Sequence, residues 1–208
     1  MERDERTPIQ DLPYSAGLMS QSCWFVEFKR IVQLIAAGKT EDEIKVECLE
    51  NNLLGAVKEY RAKRVYGYLI ARAKMLDKAG IKLFMDSDLA TQKLINLVAI
   101  LRGDRLFFEF VYEVYREKVI LGQLELEDKD FNIFFRAKGQ QSDLVESWND
   151  STKRHLKSNY VTCMTDANLL STEGKRRLIT KPIIDNSLIW YLKDSGDQAI
   201  LAAITGVV

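Results

Sequence analysis

The 208-residue chain is 47% hydrophobic, so it can bury a substantial core and is too apolar to stay disordered. It carries 30 lysines and arginines against 30 acids, so any polyanion-binding surface must come from local segregation of charge rather than from the net balance. Proline occurs only at Pro8, Pro13 and Pro182, which frees the long interval between the last two from the strongest helix breaker and predicts an all-α protein.

The charged start, residues 1–6, leads into no apolar run of signal-peptide type. The greasiest stretches, 94–101 and 199–208, reach only about half a membrane span. No transmembrane helix is expected. Cys23, Cys48 and Cys163 are odd in number, far apart and without zinc-site spacing, which points to buried thiols in a reducing, cytoplasmic setting.

Ser20 or Ser22 is placed to cap a first helix reaching Ala37, in which Phe28, Ile31, Leu34 and Ile35 recur at helical spacing before Gly38 ends it. Thr40-Glu41-Asp42-Glu43 then matches a capping box and opens a second helix with Ile44 and Leu49 on its apolar side. Residues 51–55 read as a turn. The third helix is expected over about 56–79 and divides on a wheel: Ala62, Val65, Tyr66, Leu69, Ala73 and Leu76 on one face, with Tyr60, Lys63, Arg64, Gly67, Ala71, Lys74 and Lys78 opposite.

Charge segregates sharply here. Residues 40–51 hold Glu41, Asp42, Glu43, Glu47 and Glu50 against Lys45. Residues 58–82 hold Lys58, Arg61, Lys63, Arg64, Arg72, Lys74, Lys78 and Lys82 against Glu59 and Asp77. Clustered bases on one helix are the footprint of a phosphate-binding surface, although a solvated helix face has the same composition. A helix, a tight turn and a basic helix follow the order of a helix-turn-helix unit. Gly67 offers either close approach to a partner or close helix packing.

Asp86 or Ser87 is expected to cap a fourth helix to Leu101, and Gly103-Asp104 separates it from a fifth. There Leu106, Phe107, Phe110, Val111, Val114 and Tyr115 read as core, and Glu109, Glu113 and Glu117 as a solvated face. An acidic connector over 125–130 and a short aromatic helix over 131–135 come next. This middle section should face away from any polyanion.

A second basic concentration begins after Gly139. Residues 142–146 read as a short capped helix, 149–151 as a turn and new cap, and 152–170 as a longer helix burying Leu156, Tyr160, Cys163, Met164, Ala167 and Leu170. Arg154, His155, Ser158, Thr162 and Thr165 lie roughly opposite, with Lys153 and Lys157 on the flank. Residues 172–182, with Lys175, Arg176 and Arg177, suit the turn and strand of a small β-wing, so the unit resembles a winged helix-turn-helix. Two short helices, 186–192 and 197–205, close the core. The expected architecture is therefore a compact all-α, multi-helix globular protein with two helix-turn-helix-like units, the second winged by a short β-hairpin. Its regions are an N-terminal one (1–85), a central helical core (86–140) and a winged C-terminal one (141–208).

Catalytic signatures are weak. Gly38-Lys39-Thr40 imitates the end of a phosphate-binding loop, but Gln33 stands where that loop needs glycine, and a helix rather than a strand precedes it. His155 is the sole histidine, with only Asp150 as a nearby carboxylate, and the acid pairs belong to caps and connectors. No cofactor turn and no metal-ligand spacing is present.

Tyr14-Ser-Ala-Gly17, the turn from Ala37-Gly38-Lys39-Thr40 to Ile44, Glu50-Asn51-Asn52-Leu53-Leu54, and Arg61-Ala-Lys63-Arg64 leading to Arg72 together resemble the BrxA family of bacteriophage exclusion (BREX) systems. The likeness extends over most of the chain, including 177–182. It implies a small, all-helical, cytoplasmic bacterial protein with helix-turn-helix-like regions, associated with DNA and with a multi-protein system that methylates host DNA and blocks phage replication.

On these grounds the chain is expected to be a non-enzymatic double-stranded DNA-binding accessory protein, monomeric when isolated, without cofactors or a membrane, and with other BREX proteins as partners. Lys63, Arg64, Lys74, Lys78, Lys153, Arg154, Lys157, Lys175, Arg176 and Arg177 are the phosphate-contacting candidates, and Tyr60, Ser158 and Thr162 the groove or sugar candidates. The alternatives are a protein–protein adaptor whose basic faces dock acidic partners, and an RNA-binding helical bundle.

Overall fold

Residues 7–206 are described by the computed structural model; the charged start, 1–6, and the last two residues of the C-terminal apolar stretch, 207–208, lie outside the described residues. Residues 21–24 do not join the first helix. The carbonyl of Ser22 accepts Arg72 Nη2 at 3.2 Å, and that of Cys23 accepts Arg72 Nη1 at 2.5 Å and Asn96 Nδ2 at 3.2 Å. Carbonyls held by side chains are not available to a helical ladder, so helix α1 (Phe25–Ala36) starts only after Trp24, which is left-handed at φ 42°. Phe28, Ile31 and Val32 form its buried stripe. Helix α2 (Glu41–Leu49) opens on the expected capping box: Glu43 N donates to Thr40 Oγ1 at 3.3 Å, and Thr40 N to Glu43 Oε2 at 2.7 Å.

The basic segment forms two helices rather than one, α3 (Glu59–Ala73) and α4 (Lys78–Asp86). Asp77 divides them by accepting Gly80 N at 2.8 Å, which satisfies one of the amides that a new helix start leaves open. The inward wheel face is as expected, with Ala62, Val65, Tyr66, Leu69 and Ala73 all buried. Arg72 is buried with them, at 5% exposure.

Helix α5 (Leu89–Gly103) is capped by Asp88, one residue beyond the expected position, whose side chain accepts Thr91 N at 2.8 Å. It packs against α1, α3, α4 and later α6 and α10. Encirclement explains its composition: the apolar run that reached half a membrane span is the central core helix, buried from Leu94 to Leu101. No helix among the described residues is long and apolar enough to cross a membrane.

Asp104 caps α6 (Arg105–Phe110), which runs through a π-helical turn (Val111–Tyr115) into α7 (Arg116–Ile120). The wider turn re-aims α7, and Tyr115 reaches out of it to donate its hydroxyl to Thr180 O at 2.5 Å. Phe107 stacks on Tyr160 at 4.3 Å between centroids and Phe110 on Phe131 at 4.5 Å, joining α6 to α8 (Asp128–Gly139) and α10 (Asp150–Asp166). One expectation for this region changes: Glu109 is no solvated acid. It lies half-buried between Lys138 (2.6 Å), Arg105 (2.7 Å) and the Tyr14 hydroxyl (2.8 Å), because the nearly buried Lys138 ammonium needs a counter-charge.

The short α9 (Asp143–Glu146) packs on α8, and Asn149 caps α10 through Thr152 N at 2.9 Å. Helix α10 stops earlier than residue 170. Asn168 turns left-handed at φ 58°, Leu169 N donates to Met164 O at 2.8 Å and Asn168 N to Thr165 O at 3.1 Å, a Schellman ending that turns the chain into strand β1. Strands β1 (Leu170–Glu173) and β2 (Arg176–Ile179) pair antiparallel from Leu170↔Ile179 to Glu173↔Arg176 around Gly174 (φ 59°), giving the expected hairpin. The connector before α8 adds a third edge: Leu126 N donates to Arg177 O at 2.9 Å and Ile179 N to Leu124 O at 2.8 Å. Helices α11 (Asn186–Asp194) and α12 (Gln198–Thr205) pack together, and α12 covers the π turn. All the buried apolar side chains except Ala62 and Val145 form one connected cluster from Leu18 to Ile204, so α3 and α10 rest on a common packed core.

Candidate nucleic-acid interface

Helix α3 is positioned by α2, which packs along it, and by the Tyr66 hydroxyl, which donates to Glu41 O at 3.3 Å. Its outer face carries Tyr60, 67% exposed, together with Lys63, Arg64 and Gly67. A Cβ at Gly67 would meet nothing within 4 Å, so helix packing is not the reason for this glycine; it leaves a low, open patch beside Arg64. Lys63 pairs with Glu59 at 2.6 Å and Lys74 with Glu41 at 2.7 Å. All four partners remain more than half exposed, so solvent screens the pairs and a competing anion can displace them. Lys78 heads α4 instead of extending α3, and Arg72 faces the core. Among the described residues, Lys58, Arg61 and Arg64 are exposed cations without an ion pair.

On α10, Arg154, His155, Ser158 and Thr162 point outward as the helical wheel predicts, and Thr162 Oγ1 donates to Ser158 O at 2.9 Å. The flank and wing are more heavily paired. Lys157 reaches Asp128 at 2.9 Å, Arg177 bonds the other oxygen of Asp128, and Arg176 bonds Glu125. Arg177 is further fixed by donating to Leu126 O at 3.0 Å and by lying 5.6 Å from the Phe131 ring centroid. Arg177 and Lys157 hold the Asp128 carboxyl below its ordinary value, and Arg176 does the same for Glu125. Lys175 at the hairpin tip, Lys153 and Arg154 have no internal ion pair among the described residues.

Apart from Lys78 at the head of α4, the candidate cations thus separate into two groups. Lys63, Lys74, Lys157, Arg176 and Arg177 each have a carboxylate; Arg64, Lys153, Arg154 and Lys175 do not. The structure also gathers α8 and α10 into a groove of about 520 Å³ floored by Phe131 and Phe135, into which Lys153, Arg154 and Lys157 face. Arg136 lines the same groove and is absent from the candidates that the sequence suggests. Its signal is there, one helical turn after Asn132 on the polar side of an aromatic helix, but the acidic connector just before it masks the change of sign. A larger recess of about 950 Å³ lies where residues 22–27 meet the second half of α10, with Thr162 on its wall. Among the described residues no group of three or more His, Cys, Asp or Glu side chains is arranged to hold a metal ion, and all three cysteines are buried free thiols.

Comparison with known proteins agrees with this architecture. Residues 12–196 match the family model described as BrxA. The BREX protein BrxA of Bacillus cereus (strain H3081.97) is 33% identical over 198 residues, covering 95% of this chain and 99% of that protein. The crystal structure of an uncharacterized protein from Magnetospirillum magneticum has the same fold, with a TM-score of 0.81 at 19% identity, over 93% of this chain and 99% of that one. The chain belongs to the BrxA family.

Proposed function

We infer that this protein is a non-enzymatic, double-stranded DNA-binding accessory component of a BREX phage-defence system, working in the cytoplasm alongside other BREX proteins. The observation that carries the reading is the set of surface cations without an internal carboxylate, Arg64 on α3 and Lys153, Arg154 and Lys175 on α10 and the hairpin. Unpaired surface cations can turn to phosphate without breaking an ion pair, whereas paired ones must first give up a partner. Each cluster sits on a helix preceded by another helix and a turn, capped by Thr40 in the first unit but without the expected side-chain cap from Ser142 in the second, and the second is followed by a hairpin, the order of a helix-turn-helix and a winged unit. Tyr60, Ser158 and Thr162 are outward and suited to sugar or base-edge contacts.

Titrating duplex DNA, duplex RNA and single strands over a salt series tests the assignment. Neutralising about six to ten phosphates makes duplex affinity fall by roughly 10³ to 10⁵ between about 50 and 200 mM salt. Equal weak binding to all three nucleic acids instead supports an adaptor role. That second reading has its own observation: five candidate cations already hold carboxylates, and Trp190 (70%) and Ile183 (95%) stand exposed.

A further inference from the structure

We propose that the groove between α8 and α10 is a phosphodiester clamp, in which Arg136 grips a single sugar-phosphate strand from one side and Lys153 and Arg154 grip it from the other. The assignment rests on the DNA-binding reading and adds a site, a residue and a mode of engagement to it. Arg136, Lys153 and Arg154 come from two different helices, share one concavity and have no ion pair among the described residues. Like charges drawn together repel, and an anion between them removes that repulsion. Two carboxylates line the same groove, Glu146 and Asp150, yet neither closes on these cations. The cations therefore remain available, and the acids set a local opposing charge that an incoming phosphate must overcome.

The floor has its own part. Phe131 and Phe135 are at least 96% buried and form an apolar base that lowers the local dielectric beneath the cations, strengthening a charge-assisted contact. At about 520 Å³ the groove falls in the range of small-ligand sites, a scale suited to a short run of one sugar-phosphate strand. The Lys157 ammonium is held at the rim by Asp128. That carboxylate offsets its charge, so the grip on a phosphate falls to Arg136, Lys153 and Arg154.

The full-length chain and its Arg136→Glu and Arg136→Gln variants, with Arg64→Glu as a comparison at a distance from the groove, are titrated with labelled duplex DNA over a salt series, and circular dichroism and melting check folding. The clamp predicts a loss of at least tenfold for Arg136→Glu, a smaller loss for Arg136→Gln, and a salt slope shallower by about one for each. Glu146→Gln should tighten binding about two- to threefold by removing the opposing charge. A dinucleoside monophosphate should shift the Arg136 side-chain resonance, and inorganic phosphate should shift it less. Wild-type affinity and slope in both Arg136 variants, alongside weakened binding by Arg64→Glu, overturn the clamp and leave the DNA reading standing. Absence of duplex binding by the wild-type chain overturns the DNA reading itself. A shift with inorganic phosphate but none with the dinucleotide overturns the strand assignment.

Discussion

The Asp128 carboxylate accepts Lys157 Nζ at 2.9 Å, fastening the start of α8 to the flank of α10, and its other oxygen takes Arg177 from the hairpin. One acid therefore orients three elements and sequesters two of the cations that a duplex would seek. Asp128→Asn should raise duplex affinity several-fold and steepen its salt dependence, because two cations are released and one negative charge is lost. It should also loosen the hairpin, seen as faster amide exchange at Leu126 and Ile179, whose N–H groups bridge the connector and β2. The pH response has a definite sign. The folded-state pKa is depressed by Arg177 and Lys157, so the stabilisation is present above the ordinary carboxylate value and is lost as pH falls through the lowered one. Acid melts of wild type and variant should converge at low pH; a constant gap down to low pH would disprove the pairing.

Arg64 and Arg154 are exposed, without internal ion pairs, and on separate basic elements. Reversing both, Arg64→Glu with Arg154→Glu, should abolish most duplex binding while moving the melting temperature by only about 2 °C, since surface substitutions away from special features change stability by about 0.5 kcal/mol or less. Each single reversal should retain measurable binding. Anisotropy titrations beside calorimetry distinguish lost contacts from lost fold.

Much of the architecture is legible in the chain itself. The Thr40 box, the outward and inward faces of α3, the Asn149 cap and the hairpin after Thr172 all depend on neighbours within a few residues, and local physics decides them. The features that escape depend on distant partners. Arg72 reads as one more base on a cationic helix, yet Ser22, Cys23 and Asn96, all more than twenty residues away, draw it inward. Glu109 reads as solvated until Lys138 arrives from α8. The pairing of Arg176 with Glu125 and of Arg177 with Asp128 likewise spans about fifty positions, so the charge available to a phosphate cannot be counted from the sequence alone.

Asp104 is buried at the head of α6, where its side chain accepts Phe107 N at 2.8 Å, and burial pushes its carboxyl up to about 6. Its folded-state pKa lies above the unfolded one, so between about pH 4 and 6 the native state binds more protons and this group makes the fold less stable as pH rises. A carboxyl raised that far costs on the order of 3 kcal/mol at neutral pH. Asp104→Asn keeps an acceptor at the cap without the charge. Its stability relative to wild type should increase from pH 4 to 7 and then level off, measured by urea unfolding at each pH. A parallel pair of curves would refute the assignment.

Gly80 lies beneath Tyr191, and a Cβ there would stand 2.9 Å from Tyr191 Cζ and closer still to the hydroxyl. That hydroxyl cannot easily retreat: it accepts Arg102 Nη1 at 2.8 Å and donates to Asp77 Oδ1 at 3.1 Å, and Asp77 is the residue capping α4. Alanine favours a helix over glycine by about 1 kcal/mol, but overpacking typically costs about 1–3 kcal/mol and should prevail here. Gly80→Ala should therefore destabilise the protein even though it is the better helix former. Tyr191→Phe removes the nearest atom while keeping the ring, so the double variant should recover part of the loss, giving a coupling energy of about 0.5–3 kcal/mol in a double-mutant cycle. Additive effects would mean that the α4–α11 contact yields freely, and that the glycine is not there to admit the tyrosine.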